Sequence, residues 1–292
     1  MNWVAWFFRF TNSKLITERA TVPHKAFKVL YGFSKWMVRS FILNKTGARN
    51  LVAIRNFDSN LTLKIDRSRT IGASLFWTGF HEFRELLFLH DFLKPEMVFL
   101  DVGANIGEYT VFAAKRVVSG RVLSFEPVPS IRKELEENIR LNHFKNITVL
   151  PYGLSDQPGQ FPIFLMGEDE NEGQATFFSD DASNQNSIVA ELKVLDVEWK
   201  GFQLSRLDFI KMDIEGSELM ALRGSINTLI QFRPLVLLEI SDVTYQTAGY
   251  AKKEISDYFE KLNYLPFELN KIGKLQGCSS LPAFGNIIFV PQ

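Results

Sequence analysis

A short apolar run that ends in a glycine-rich turn constrains the fold of this chain more than any other stretch. The run covers residues 98–100, and Asp101 and the turn Gly103-Ala-Asn-Ile-Gly107 follow it. Because the run is too short for a helix and Gly103 breaks it, we predict a strand buried on both faces, as in a parallel sheet covered by helices. Apolar residues at helical spacing follow Gly107 and predict a helix. A strand, a glycine turn and a helix N-terminus together are typical of a nucleotide-like binding site.

Acidic residues beside this turn indicate which kind of ligand it holds. Asn105 occupies the second glycine position of the dinucleotide fingerprint, which leaves only Gly103 and Gly107. Asp101 would repel a pyrophosphate, but it suits a ligand with an ammonium or sulfonium group. Glu126 ends the next predicted strand, at residues 121–125, where a carboxylate can accept hydrogen bonds from a ribose diol.

The remaining pattern predicts an α/β fold with a mainly parallel, seven-stranded sheet. Helices are expected at residues 71–93, 130–142 and 217–230, with a strand or hairpin at residues 50–65 before the main sheet. The last two predicted strands, residues 264–269 and 287–290, have no helix-sized pattern between them, so we expect a terminal antiparallel hairpin.

Residues 157–200, just after Asp156, interrupt the alternation of helices and strands. Asp156 follows the third strand, where such folds commonly bind an adenine amino group, although a surface turn explains an acid there equally well. A strand is expected at residues 161–165, and the polar, acidic residues 167–187 after it predict a substrate lid or a disordered insertion.

The N-terminal residues differ in composition from the rest of the chain. Residues 1–65 contain 11 Lys and Arg against two acids, and they are rich in aromatic side chains. We expect residues 1–60 to be a helical extension of a domain at residues 61–292. Residues 1–45 either make peripheral contact with a membrane surface or pack on that domain. No spanning segment or signal peptide is predicted, and the single cysteine favours a reducing, cytoplasmic setting, with any peripheral contact at the inner membrane surface.

Several motifs in order resemble those of the FkbM methyltransferases, over roughly residues 75–292. They are DVGANIG at 101–107, FEP at 125–127, FIKMDIEGSE at 209–218, LRG at 222–224, and Arg233-Pro234 followed by Glu239. The resemblance implies a class I, Rossmann-like methyltransferase that moves a methyl group from S-adenosylmethionine to an oxygen, often a hydroxyl of a sugar, glycolipid or secondary metabolite. It further implies that Glu82 contacts the methionine ammonium group. The expected partners are a small-molecule or glycan acceptor and no nucleic acid. The expected cofactor-binding residues are Glu82, Asp101, Gly103, Asn105, Gly107, Glu126 and Asp156.

Three acids follow adjacent core strands and are the candidate catalytic residues, namely Asp213, Glu215 and Glu239. The carboxyl ends of parallel strands are where open α/β sheets bind ligands, so a carboxylate base for a hydroxyl acceptor is expected there. A divalent metal held by these acids is possible but not favoured, and no metal ligand is assigned. The alternatives are a nicotinamide-dependent oxidoreductase, against which Asn105 and Asp101 count, and a non-catalytic module that associates with membranes.

Overall fold

The computed structural model describes residues 5–7, 9–10, 50–165, 175–178 and 187–292. Most of the N-terminal extension and most of the acidic stretch at residues 167–187 lie outside these ranges. The predictions of a helical, membrane-contacting extension and of a substrate lid or disordered insertion therefore mainly concern residues outside the described ones. In the described part of the chain no helix combines the length and the apolar character needed to cross a bilayer.

The strands and helices follow one another in the order expected for an α/β domain. The strands are β1 (Leu51–Phe57), β2 (Leu61–Asp66), β3 (Val98–Val102), β4 (Arg121–Phe125), β5 (Ile147–Leu150), β6 (Gly153–Leu154), β7 (Gly159–Leu165), β8 (Ala175–Thr176), β9 (Ser187–Lys193), β10 (Phe209–Met212), β11 (Leu235–Ser241), β12 (Tyr264–Leu269), β13 (Leu275–Gly277) and β14 (Phe284–Pro291). The helices are α1 (Thr70–Thr78), α2 (Phe83–Phe92), α3 (Glu108–Ala114), α4 (Pro129–Leu141), α5 (Leu195–Phe202), α6 (Glu218–Arg223), α7 (Ile226–Phe232), α8 (Asp242–Thr247) and α9 (Lys252–Lys261).

The main sheet confirms the predicted fold class. Its order is β13-β12-β14-β11-β10-β3-β4-β5. The five strands from β11 to β5 are parallel, and β14 runs antiparallel to both β11 and β12. The terminal antiparallel hairpin is therefore confirmed, with Tyr264 opposite Pro291. The sheet has one strand more than the seven expected, because the three residues of β13 extend it beyond β12.

The hairpin of β1 and β2 is confirmed and packs on α4. Asn138 of α4 accepts a hydrogen bond from the Lys64 N–H at 2.7 Å, and Asn142 accepts one from the Thr62 N–H at 2.8 Å. The proposed domain division between residues 60 and 61 falls in the turn of this hairpin. Since both strands pair with each other and Ile54 joins the main core, the hairpin packs as part of the larger domain.

Two of the predicted helices are each broken into two. The helix expected at residues 71–93 ends at Gly79, which has a φ of 90°, and a new helix starts only at Phe83. The helix expected at residues 217–230 is interrupted at Gly224, where a side-chain carbon would lie 2.1 Å from the Ser155 carbonyl oxygen. The apolar pattern continues across both breaks, whereas the helical conformation of the backbone stops there.

Strands β6 to β9 form a second sheet with the order β6-β9-β7-β8. The strand expected at residues 161–165 is confirmed within β7. The two residues of β8 pair with the end of β7, with Thr176 opposite Phe164. This inserted sheet therefore lies between the third parallel strand and the fourth in chain order, and it supplies part of the site described next.

Candidate functional site

The turn after β3 brings the backbone of two core loops into close contact. Gly103, Asn105 and Gly107 all have positive φ, at 78°, 49° and 95°. A side-chain carbon on Gly103 would lie 2.0 Å from the carbonyl oxygen of Asp213, so only glycine allows the β3 and β10 loops to approach. A side-chain carbon on Gly107 would lie 2.6 Å from Leu135, so this glycine lets the turn pack on α4.

Glu126 closes one side of the turn from the end of β4. Its two carboxylate oxygens accept hydrogen bonds from the N–H groups of Asn105, at 2.9 Å, and Val128, at 3.0 Å. Burial raises the pKa of Glu126 to about 7, although both N–H groups oppose that rise. The carboxylate is thus held in place beside the glycine turn, and each oxygen has a further lone pair for a ligand hydroxyl.

Asp213, Glu215 and Glu239 come together at the carboxyl ends of β10 and β11, and we call them the acid trio. One carboxylate oxygen of each lies within 4.8 Å of the others. Burial first, and then the charge of Asp213, raises the pKa of Glu215 to about 7 and that of Glu239 to about 9. By geometry alone, this spacing is close enough for the three carboxylates to hold a divalent cation.

A left-handed turn explains how Asp213 and Glu215 both reach the cavity although they are two residues apart. Glu215 and Gly216 have φ values of 51° and 101°, which end the strand and reverse the chain. The buried carboxylate of Glu218 accepts hydrogen bonds from the N–H groups of Ile214 and Gly216, each at 2.9 Å. Burial raises the pKa of Glu218 to about 7. This carboxylate fixes the turn and does not line the cavity.

Lys211 lies beneath the acid trio and links it to the glycine turn. Its Nζ donates to the Gly103 carbonyl oxygen at 2.9 Å and lies 3.7 Å from Asp213 and 3.9 Å from Asp101. Burial alone would lower the pKa of Lys211, but the carboxylates of Asp213 and Asp101 lead to a net increase. The lysine therefore stays charged and counters part of the negative charge above it.

Two more glutamates, Glu82 and Glu108, line the same cavity. Glu82, in the break between α1 and α2, accepts a hydrogen bond from Tyr109 Oη at 2.6 Å and another from the Asn286 amide. Glu108 accepts one from the His81 N–H at 2.8 Å, and burial raises the pKa of Glu108 to about 8. Glu108 and Tyr109 were missed by the sequence reasoning, although both follow the glycine turn directly. No sequence signal points to Asn286.

One cavity brings together most of the residues expected from the sequence. Those that line it are Glu82, Gly103, Asn105, Glu126, Asp213, Glu215 and Glu239. Gly107 does not line the cavity, but it allows the glycine turn to pack on Leu135 of α4. Asp101 is fully buried in β3, where its carboxylate accepts a hydrogen bond from Thr110 and faces Lys211. Asp156 is exposed and does not line the cavity.

One end of the same cavity is apolar. It is lined by side chains of α4, of the segment before it and of the inserted sheet, namely Pro127, Val128, Ile131, Ile163 and Phe177. Phe177 falls in the stretch that the sequence reasoning treated as a polar loop. The cavity thus combines a carboxylate-rich part, Glu126 and an apolar end.

Comparison with known proteins identifies related sequences. A model described as the methyltransferase FkbM domain matches residues 101–266. The AMB antimetabolite synthetase AmbE of Pseudomonas aeruginosa is 27% identical in an alignment of 183 residues that covers 51% of this chain and 9% of that protein. The hexuronic acid methyltransferase AglP of Haloferax volcanii is 26% identical over 183 residues, 62% of this chain and 68% of that one.

Among solved structures, a methyltransferase FkbM from Methylobacillus flagellatus KT is 17% identical with a TM-score of 0.45, and the match covers 68% of this chain and 44% of that one. This chain therefore spans only part of the length of these proteins.

Proposed function

Because the chain belongs to the FkbM methyltransferase family, we propose that it transfers a methyl group from S-adenosylmethionine to a hydroxyl oxygen of a sugar, glycolipid or secondary metabolite. The observation that carries the proposal is the single cavity in which the glycine turn, Glu126 and the acid trio meet. The division into an N-terminal extension and a catalytic domain, and peripheral membrane contact through residues 1–45, remain parts of the proposal.

The cavity fits S-adenosylmethionine in its chemistry. The ligand carries a sulfonium and an ammonium group, a ribose diol and an adenine base, and it supplies an electrophilic methyl group when bound. Glu82 offers a carboxylate for the cationic end, and Glu126 offers oxygens for the diol. Glu108 also lines the cavity, and a bound cation would lower its pKa from about 8 and favour its ionised form. The apolar end next to Glu126 suits the base. Asp101 is buried and would not contact the ligand directly. It would hold Lys211, and through it the glycine turn, in place.

Glu215 is the proposed general base for the acceptor hydroxyl. A base is most effective when its pKa lies near the working pH, and that of Glu215 is about 7. Glu239, whose pKa is about 9, is protonated at neutral pH and can donate a hydrogen bond to the acceptor. Asp213, beside the charged Lys211, is placed to accept a hydrogen bond from a second acceptor hydroxyl.

The charges that line the cavity favour an uncharged hydroxyl acceptor. Six acidic side chains line it, from Glu82, Glu108, Glu126, Asp213, Glu215 and Glu239, and they outnumber the lining lysine, Lys211, even with Glu239 protonated. An anionic acceptor would be repelled by the acid trio, although a relative, AglP, is named for a hexuronic acid. We therefore propose that this chain uses a neutral polyhydroxyl compound. The acid trio is proposed to act without a metal.

Calorimetric titration with S-adenosylmethionine, S-adenosylhomocysteine and NAD tests the cofactor assignment. Both adenosyl ligands should bind, and Glu126→Gln should weaken them at least about tenfold, since hydrogen bonds to a charged acceptor contribute about 1.5–3 kcal/mol. Glu136→Gln, on the exposed face of α4, is the matched control and should bind like the wild type. Binding of NAD in place of the adenosyl ligands would refute the proposal and favour an oxidoreductase.

A further inference from the structure

Strand β8 of the inserted sheet is attached directly to the loop that carries the acid trio. Thr176 is buried, and its Oγ1 donates a hydrogen bond to the Glu215 carbonyl oxygen at 2.9 Å. The same Oγ1 accepts one from the Phe178 N–H at 3.1 Å. One hydroxyl thus fixes the backbone on both sides of Phe177 relative to the main domain.

The acceptor of this hydrogen bond is itself held rigidly. Glu218 binds the N–H groups of Ile214 and Gly216, on either side of Glu215, each at 2.9 Å. The Glu215 carbonyl oxygen therefore has a fixed position at the end of β10. A strand anchored to it gains a defined position relative to the cavity.

Phe177 places an aromatic ring in the wall of the cavity. The ring packs on an apolar cluster that contains Val128, Ile131 and Ile163. A side-chain carbon on Gly153 would lie 3.7 Å from Pro127 Cγ and 3.8 Å from Phe177 Cζ, so Pro127 and the edge of the ring both lie beside Gly153. Phe177 is half-buried, which leaves part of the ring open to a ligand.

From these contacts we propose that Phe177 forms the aromatic wall of the adenosine site and that Thr176 is the residue that positions it. The inference rests on the proposed function, since it assigns a binding surface for the base of the same cofactor. With the ribose at Glu126, the attached base falls beside Pro127 and Phe177 and meets an apolar surface. Asp156, exposed and away from the cavity, has no part in it.

Titration of the whole chain with S-adenosylmethionine and with 5′-methylthioadenosine, which lacks the amino-acid end, tests the assignment of Phe177. Phe177→Ala should raise the Kd of both ligands by the same factor, about tenfold, because stacking of a base on an aromatic ring contributes about 1–3 kcal/mol. Phe161→Ala is the matched control. Phe161 belongs to the same inserted sheet but is 37% exposed and does not line the cavity, so both Kd values should stay within about twofold of the wild type.

The role of Thr176 is tested by hydroxyl removal and rescue. Thr176→Val keeps the shape of the side chain but removes its hydroxyl, and it should weaken the binding of both ligands about fivefold. Thr176→Ser keeps the hydroxyl and should bind both ligands like the wild type. If Thr176 acts through Phe177, the double variant Thr176→Val/Phe177→Ala should bind no more weakly than Phe177→Ala alone. Thermal unfolding of each variant confirms that it is folded during the titration.

Three results would overturn the inference. If the wild type binds both ligands and Phe177→Ala binds them equally well, the role of Phe177 as an aromatic wall is refuted. The proposed function is not affected by that result. If Thr176→Val and Phe177→Ala raise the Kd independently, so that their factors multiply in the double variant, Thr176 does not act by positioning Phe177. Absence of binding by the wild-type protein refutes the proposed function and this inference together.

Discussion

Glu239→Gln is expected to stabilise the folded chain, by an amount that grows as the pH rises. The pKa of Glu239 is raised from 4.5 to about 9, because burial and the carboxylates of Asp213 and Glu215 oppose its ionisation. Between these two values the folded chain binds one proton more than the unfolded chain. The free energy of unfolding of the wild type therefore falls with rising pH, by about 1.4 kcal/mol per unit for this group.

The magnitude follows from that slope. The stability that depends on Glu239 is fully present below pH 4.5 and is lost as the pH rises through about 9. From about pH 5 to pH 8 the loss amounts to about 4 kcal/mol. Glutamine has nearly the same shape and does not ionise, so the variant should not show this component. The difference in unfolding free energy between variant and wild type should increase across the same range.

Urea unfolding at several pH values, without added ligand, measures this difference. Glu260→Gln, on the exposed side of α9, is the control for a charge removed at the surface. If the difference between Glu239→Gln and the wild type stays the same from pH 5 to pH 8, the carboxylate is not held protonated by its surroundings. The role of Glu239 as a hydrogen-bond donor would then fail as well.

Three further outcomes are expected. Lys211→Met should lower the free energy of unfolding by about 3–5 kcal/mol, measured in urea, because it leaves Asp101 buried without its cation. With a hydroxyl acceptor, kcat should rise with pH through about 7, and Glu215→Gln should remove that limb and lower kcat about 100-fold or more. EDTA should leave the methyl-transfer rate unchanged, and a loss of activity that Mg²⁺ restores would show instead that the acid trio holds a metal.

The parts of the site that the sequence predicts are those that directly follow apolar runs. Glu126, Asp213 and Glu239 each end or follow such a run, and parallel strands place their carboxyl ends at one edge of a sheet. Their meeting in one cavity therefore follows from the order of strands and helices alone. Glu215 was predicted with them, and it reaches the cavity because the chain reverses at Glu215 and Gly216.

Other parts depend on packing that no local pattern reports. The apolar spacing of residues 71–93 continues across Gly79, so the break that presents Glu82 is invisible to periodicity. Phe177 lies next to a two-residue strand in a polar stretch, and its place is set by the contact of Thr176 with a residue 39 positions away. Asp156 shows the converse, since its position after the third strand is as expected but its side chain faces solvent.

The closing antiparallel strand has a consequence for the chemistry of the site. Asn286 of β14 lies directly opposite Glu239 of β11, and its amide donates to Glu82. The strand that pairs with β11 thus also binds Glu82, and the charge of Glu82 contributes to the raised pKa of Glu239. A parallel strand would need a crossover connection and would place its other end at this edge. The antiparallel register therefore places Asn286, the hydrogen-bond donor to Glu82, opposite Glu239, whose proton the charge of Glu82 helps to retain.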